Sequence, residues 1–508
     1  MSLSVAHGTP EPPPEDFNLA AHVLGRAEDL ADKTALAVVT PQGAARWRYG
    51  TLRQAVQGIA AGLRGRGLAP GDRVLMRLGN EVEFPLCYLG AIWAGLVPVP
   101  ASAALTVPEI TRLAEEVRPA LIVAAPEVSR PEAPACPVLP ALALREMESA
   151  PPMAPVLGPP DRPAYIVYTS GTSGSPRGVV HAHRAVWARR MMWADWYGMG
   201  AADRLLHAGA FNWTYTLGTG LLDPWTLGAT ALIPGEGVAP AQLPLLMKRF
   251  DATIFAAAPA VYRQILKHHA KIDAPKLRHG LSAGEKLAPA IRAGWEAATG
   301  TAVHEALGMS ECSTFVSGSP ARPAPPGATG YPQTGRRLAV LSPGGTPVPR
   351  GTPGTLAVHR ADPGLMLGYL DAPEETAARL SGDWFLTGDT ALMAEDGALT
   401  YLGRDDDMMN AGGVRVSPLE VEAALAEHPG IEEVACAEIT VKADTTIIAA
   451  FYTGPAPLPE ADLAAFAAAR LARYKQPRLY AHCASLPRAG NGKIDRTALR
   501  RRPAPSLG

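Results

Sequence analysis

Between Tyr168 and Gly178 the chain reads Tyr-Thr-Ser-Gly-Thr-Ser-Gly-Ser-Pro-Arg-Gly. Five serine and threonine hydroxyls, three glycines and one cation share these eleven positions. That set suits a polyphosphate. Glycines let backbone N–H groups approach the oxygens, hydroxyls donate further bonds, and Arg177 supplies charge. The GxxxxGK[ST] order of a Walker A loop is absent. On local chemistry alone, a polar Ser/Gly surface loop is an equal reading. Further charged residues stand in short motifs downstream: Ser282-Ala283-Gly284-Glu285, Leu307-Gly308-Met309-Ser310-Glu311, Thr387-Gly388-Asp389, Gly403-Arg404-Asp405-Asp406-Asp407 and Gly492-Lys493-Ile494-Asp495-Arg496. Taken singly, Lys493 is a solvated lysine in a glycine turn, Asp406 a loop acid and Glu311 a helix-terminal charge.

Taken in order, these motifs resemble those of the adenylate-forming superfamily, which includes acyl- and aryl-CoA ligases, firefly luciferase and nonribosomal-peptide adenylation domains. The resemblance runs from about Phe17 to Leu499. It implies a phosphate loop made of Thr169, Ser170, Gly171, Thr172, Ser173, Gly174 and Arg177. The family usually has lysine where Arg177 stands, and a guanidinium does not replace an ammonium atom for atom. Gly284 and Glu285 would lie beside adenine. Leu307 and Gly308 open the next motif, with Leu307 where an aromatic residue often stacks on the base. Ser310 would touch the α-phosphate and Glu311 would bind Mg²⁺. Asp389 would hold the ribose hydroxyls, and Arg404 would reach the nucleotide. Asp406 would be the pivot of the small domain, and Gly412-Gly413 would pass close to the pantetheine of coenzyme A. Lys493 would be the catalytic lysine. The implied fold is α/β: a large N-terminal domain, residues 1–403, with layered sheets and helices, and a small mobile α+β C-terminal domain, residues 404–508. The implied cofactors are ATP, Mg²⁺ and coenzyme A.

The chemistry of such an enzyme fits this residue set. A carboxylate is a poor electrophile, and joining it to AMP creates a leaving group. Two anions must meet, so cations are needed: Lys493, Arg177 and a Mg²⁺ on Glu311. The carboxylate is already ionised at neutral pH and needs no general base. For the acid itself, residues 211–231 are aromatic and nearly uncharged. They most resemble benzoate-type aryl-CoA ligases, which implies a pocket of Phe211, Trp213, Tyr215, Ala283 and Gly308. For most of the 211–231 stretch a buried helix packing on a sheet is the preferred local reading. Asn212 and Trp213 depart from that branch, which leaves room for a polar ring substituent or another acyl group. The expected activity is an aryl-CoA ligase. The alternatives are a short- or medium-chain fatty acyl-CoA ligase, an adenylase loading a carrier-protein thiol, or a silent nucleotide-binding relative.

The elements that must position these residues are legible as alternation. Short strand-like runs begin at Thr34, Arg73, Ala120, Ala164, Ala229 and Thr253, with helical patterns between several of them. Alternation predicts layered α/β structure with largely parallel sheets. One helix is expected from an N-cap at Thr51 to about Gly65, and another from Ser417, where Ser-Pro-Leu-Glu reads as a capping box. Residues 126–163 read as a surface connection with an embedded strand or two. Residues 84–107 carry no charge but hold Pro85, Pro98 and Pro100, so they read as a buried helix and a strand rather than a membrane span.

The 508 residues carry 47 Lys+Arg against 48 Asp+Glu, which gives no field for nucleic acid or anionic membrane. Five scattered cysteines argue against a disulfide framework or zinc site and fit a reducing cytoplasm. The expected partners are a small carboxylic acid and coenzyme A, in a monomer or homodimer.

Overall fold

The computed structural model describes residues 2–169, 177–405, 407–411, 414–442, 445–489 and 492–501. Its largest sheet has nine strands. Six central ones lie parallel: Val303–Met309, His279–Ala283, Ile254–Ala257, Arg204–Ala208, Thr230–Pro234 and Thr34–Val39. A second parallel sheet of four strands contains Arg73–Arg77, Val97–Pro100, Leu121–Ala124 and Val138–Pro140. The expected alternation explains both, because helices return the chain between strands.

Within the large unit the described strands after Met309 pair antiparallel, and parallel pairing returns only in the small unit, between Thr445–Thr453 and Leu479–His482. A six-stranded sheet built on Arg337–Leu341, Gly354–His359, Trp384–Met393 and Leu399–Arg404 is antiparallel throughout. Turns rather than crossover helices join most of its strands. The small unit follows, with a hairpin of Met409–Ala411 and Val414–Val416 and a sheet of Glu433–Lys442, Thr445–Thr453 and Leu479–His482. This is a mixed α/β molecule with a large N-terminal and a small C-terminal domain.

The uncharged stretch is the helix Glu83–Trp93, buried at every position, followed by the strand Val97–Pro100. The helix packs on Tyr49–Gly65 so closely that a Cβ on Gly90 would stand 2.7 Å from the Ile59 side chain. Among the described residues no helix is long and apolar enough to cross a membrane.

Two helix starts differ from expectation. The first helix begins at Tyr49, not after Thr51, because tertiary contacts satisfy its leading amides: Tyr49 N–H donates to Lys33 O and Gly50 N–H to Ala31 O. At Pro418–Leu425, Ser417 Oγ accepts from Glu420 N–H at 3.4 Å, but the Glu420 carboxylate turns to Lys475. One half of the capping box forms. In the 126–163 connection there is one strand, Val138–Pro140, and a short helix, Ala143–Met147.

Candidate active site

Two parallel strands deliver the first site residues. His279–Ala283 ends at Gly284-Glu285, and its neighbour Val303–Met309 ends at Ser310-Glu311, with Ala283 opposite Ala306. Gly308 is needed by space: a Cβ there would stand 2.3 Å from the Ser313 carbonyl oxygen. Gly284 is needed by conformation, with φ of +97°. Glu311 is buried; its Oε1 accepts from the Tyr369 hydroxyl at 2.8 Å and its backbone carbonyl from Met366 N–H at 2.7 Å. Ser310 presents its carbonyl to His181 Nε2 at 2.7 Å.

A second pair comes from the antiparallel sheet. Asp389 and Arg404 face each other across adjacent strands, and Arg404 Nη1 lies 3.1 Å from Asp389 Oδ1. Burial raises the Asp389 carboxyl to about 6, against the opposing pull of Arg404. Gly388 allows the approach: its φ is +75° and a Cβ would stand 3.0 Å from the Arg404 guanidinium.

Lys493 arrives from the small unit on a turn closed by Ala489 N–H to Lys493 O at 2.8 Å and Gly492 N–H to Ala489 O at 2.8 Å. The residue remains solvent-accessible. Its ammonium nevertheless lies deep enough among protein atoms for desolvation to lower its pKa, opposed by Glu285, Asp389 and Glu311 and aided by Arg404. Burial raises the Glu285 carboxyl, and Lys493 is the strongest of the cations that oppose the rise. The structure therefore gathers Glu285, Glu311, Asp389, Arg404 and Lys493 around one cleft from two units.

Arg177 opens the strand Arg177–Ala182 opposite Thr169. Its Nε lies 2.7 Å from Glu375, and its guanidinium sits over the Tyr369 ring, 5.4 Å from the centroid. One tyrosine thus links Arg177 to Glu311. The expected sites Ser170, Gly171, Thr172, Ser173, Gly174, Asp406, Gly412 and Gly413 lie outside the described residues.

The acid-pocket residues separate. Tyr215 and Ala283 join one apolar cluster, with the Tyr215 ring stacked on Trp196 at 5.8 Å and its hydroxyl donating to Leu281 O at 3.2 Å. Phe211 packs instead against Phe84, 5.3 Å away, in a different cluster. Trp213 stands 36% exposed. Leu307 is half-buried against a third cluster.

The helix carrying this region is a π-helix over Thr216–Leu222, running into Asp223–Leu227. Asp223 meets Arg189, with Nε 2.9 Å from both carboxylate oxygens, and both residues are buried. Gly218 is what lets the guanidinium pass: a Cβ there would stand 2.3 Å from Arg189. Sequence reasoning found neither this pair nor Tyr369 and Glu375. A buried arginine far from its acid in sequence leaves no spacing signal, and Tyr369 lies 58 positions from Glu311.

A family model described as AMP-binding enzyme matches residues 25–370, and one described as AMP-binding enzyme C-terminal domain matches residues 420–493. The chain is 30% identical to a benzoate–CoA ligase of Thauera aromatica, over 98% of this chain and 99% of that protein. It is 28% identical to the mitochondrial acyl-coenzyme A synthetase ACSM2B of Homo sapiens, over 96% and 91%. Its fold superposes on a crystal structure of a benzoate CoA ligase from Burkholderia xenovorans LB400 with a TM-score of 0.85, at 28% identity, covering 96% of this chain and all of that one.

Proposed function

Because this chain belongs to the AMP-binding enzyme family and is an AMP-forming acyl- or aryl-CoA ligase, we propose that it works in two half-reactions on an aromatic acid. In the first, a carboxylate oxygen attacks the α-phosphorus of ATP, and pyrophosphate leaves. In the second, the thiol of coenzyme A attacks the acyl carbon, the thioester forms and AMP leaves with the bonding electrons of the acyl–oxygen bond. The observation that carries this reading is the Lys493 ammonium standing in the combined field of Glu285, Asp389 and Glu311. Such a cation, fixed beforehand where two anions meet, stabilises the charge that develops on the transferring phosphate.

The remaining residues take roles by their chemistry. Asp389, ionised above about pH 6, accepts from ribose hydroxyls, and Arg404 holds it in place. Thr169, Ser170, Gly171, Thr172, Ser173, Gly174 and Arg177 cradle the outer phosphates, with Gly284 and Glu285 beside the base. Leu307 and Gly308 line the base and acid side, and Ser310 meets the α-phosphate. Glu311 suits Mg²⁺: one carboxylate, with Oε1 oriented by Tyr369, is enough for a cation that keeps waters and takes its other ligands from phosphates. Bound there, the ion would neutralise phosphate charge. Among the described residues no group of three or more His, Cys, Asp or Glu could hold a metal by itself.

We take the chain to divide near Arg404. A turn about Asp406 would then withdraw Lys493 and bring Gly412-Gly413 to the thiol. Tyr215 with Ala283 supports an aryl wall, and the benzoate–CoA ligase relatives support the same class. Five cysteines without a disulfide support a reducing, cytoplasmic setting. Incubation with ATP, Mg²⁺, coenzyme A and an acid panel tests the reading. Pyrophosphate release should require the acid, and AMP release should accelerate with coenzyme A. AMP formation indifferent to coenzyme A would sink it.

A further inference from the structure

A cavity of about 20 Å³ is lined by Ser310 together with, among others, Tyr88, Tyr165, His181, Thr214 and Ser313. About 10–15 Å³ is room for one water-sized group. Two of its lining residues, Thr214 and Ser310, directly precede Tyr215 and Glu311, so the cavity touches the segments that carry the pocket tyrosine and the buried carboxylate.

Its walls are chemically specific. Tyr88 is wholly buried, and its hydroxyl has no hydrogen-bond partner among the described residues. His181 is 2% exposed, and its Nδ1 likewise has none among the described residues. The Nε2 of His181 lies 2.7 Å from the Ser310 carbonyl. A carbonyl only accepts, so Nε2 carries the proton and Nδ1 offers a lone pair. Burial keeps the ring neutral, with its pKa lowered to about 4. Tyr165 stacks on the imidazole at 4.8 Å and 18°, which fixes the direction of that lone pair.

Arg189 also borders the cavity, but its charge is committed. Its Nε faces both Asp223 oxygens, its Nη2 reaches Tyr197 at 3.0 Å, and its Nη1 donates to Ser313 Oγ at 2.6 Å. Of the lining groups, the buried atoms left without a hydrogen-bond partner among the described residues are one acceptor, His181 Nδ1, and one hydroxyl, that of Tyr88, and Arg189 adds no uncompensated positive charge. A second carboxylate would meet a lone pair. A methyl group would leave both polar atoms unpaired. An O–H or N–H donor satisfies His181, and a hydroxyl also accepts from Tyr88.

We propose that this cavity is the far end of the acid pocket and that the substrate acid carries a hydroxyl or amino substituent that seats between Tyr88 and His181. The proposal rests on the acid–CoA ligase reading and narrows its substrate.

The test compares acids of equal size. With ATP, Mg²⁺ and coenzyme A, kcat/KM is measured for 3- and 4-hydroxy-, 3- and 4-amino- and 3- and 4-methylbenzoate, and for 6-hydroxyhexanoate beside heptanoate. At one position the donor acid should exceed its methyl or methylene counterpart by about tenfold or more, since a site built to bond a hydroxyl rejects the analogue without one. Tyr88→Phe removes only the phenolic oxygen. It should bring that ratio below about threefold while leaving Tm unchanged or raised, because it deletes an unpaired buried hydroxyl. Methyl acids used as well as donor acids, or a ratio unmoved by Tyr88→Phe, would mean that the cavity holds a resident water only, and would overturn the proposal. If donor and apolar acids alike give no coenzyme A-dependent AMP, the ligase reading itself fails, which is a different result.

Discussion

The cleft is built in two ways. Glu311 and Asp389 sit at or within strands of the large unit, buried, each with a fixed partner: Tyr369 for one and Arg404 for the other. Lys493 sits on a turn of the small unit, held by backbone bonds within that turn and by ion pairs around it. Sheet positions cannot shift without breaking ladders on both sides. A turn at the end of a small unit can be withdrawn whole. On the proposed two-step reading, the carboxylates would be permanent parts of the cleft, and the cation needed for one half-reaction would be delivered.

The sharpest way to break this contrast is Lys493→Ala. Acid-dependent pyrophosphate release should fall about 100- to 1,000-fold, the scale of one preorganised electrostatic donor. Thioester formation from synthetic acyl-AMP should stay within a few-fold of the parent. Equal losses in both, in single-turnover assays, would show that the lysine is not a delivered element. Glu311→Gln acts on the permanent side and should slow both half-reactions' nucleotide handling, with about a 100-fold loss in adenylation and a raised requirement for Mg²⁺, read from a metal titration.

Asp389→Asn should have a smaller effect of two opposite signs. The folded carboxyl titrates near 6, above its ordinary value of 3.8. Between about pH 4 and 6 the folded state thus holds a proton that the unfolded chain has released, so this group's contribution to stability is greatest below about pH 4 and is lost as pH rises through 6. At pH 7 the ionised carboxylate costs at most about 3 kcal/mol, with the opposing pull of Arg404 already included. Asp389→Asn should remove this slope from the Tm–pH curve between pH 4 and 7, while raising KM for ATP about tenfold through a lost charged hydrogen-bond acceptor. A parent curve flat over that range would contradict the buried, strained carboxylate.

How much of this was legible depended on the kind of signal. Strands at Thr34, Arg73 and Ile254 were plain because β-branched and aliphatic runs repeat between helical patterns. The antiparallel sheet around Trp384–Met393 was not expected, because its pairing partners are fixed by turns and tertiary register rather than by periodicity. The motif residues Glu285, Glu311, Asp389, Arg404 and Lys493 were recognisable as an ordered set long before any was placed near another. What escaped were the residues that hold them, Tyr369 on Glu311 and the charges around the lysine turn, and, apart from the set, the buried pair of Arg189 and Asp223. Their partners lie tens to hundreds of positions away, and a lone arginine or glutamate in sequence looks like solvated surface. Tyr49 escaped for the same reason, since its N–H is satisfied by Lys33 O across a turn rather than by a cap.

The smallest expected effect tests what keeps the lysine turn in place. Glu433, at the start of a strand in the small unit, pairs with Arg488 at 2.8 Å within that unit and with Arg263 of the large unit. Arg488 also donates to Gly492 O at 2.7 Å, next to Lys493. One carboxylate thus ties the Lys493 turn to the large unit, with Lys267 and Glu432 adding a looser contact at 3.9 Å. These side chains are partly exposed, so each pair is worth only about 0.2–1 kcal/mol and is screened by salt. Glu433→Arg should therefore lower adenylation by about two- to fivefold at low ionic strength, the range that such energies set, and by less in high salt. The thioester step, for which the proposed domain turn would withdraw Lys493, should not slow. Combining it with Arg263→Glu restores opposite charges across the units and should recover part of the loss. A double variant no better than Glu433→Arg alone would mean that the carboxylate acts inside the small unit through Arg488, and that delivery of the lysine does not depend on a charge shared between the two.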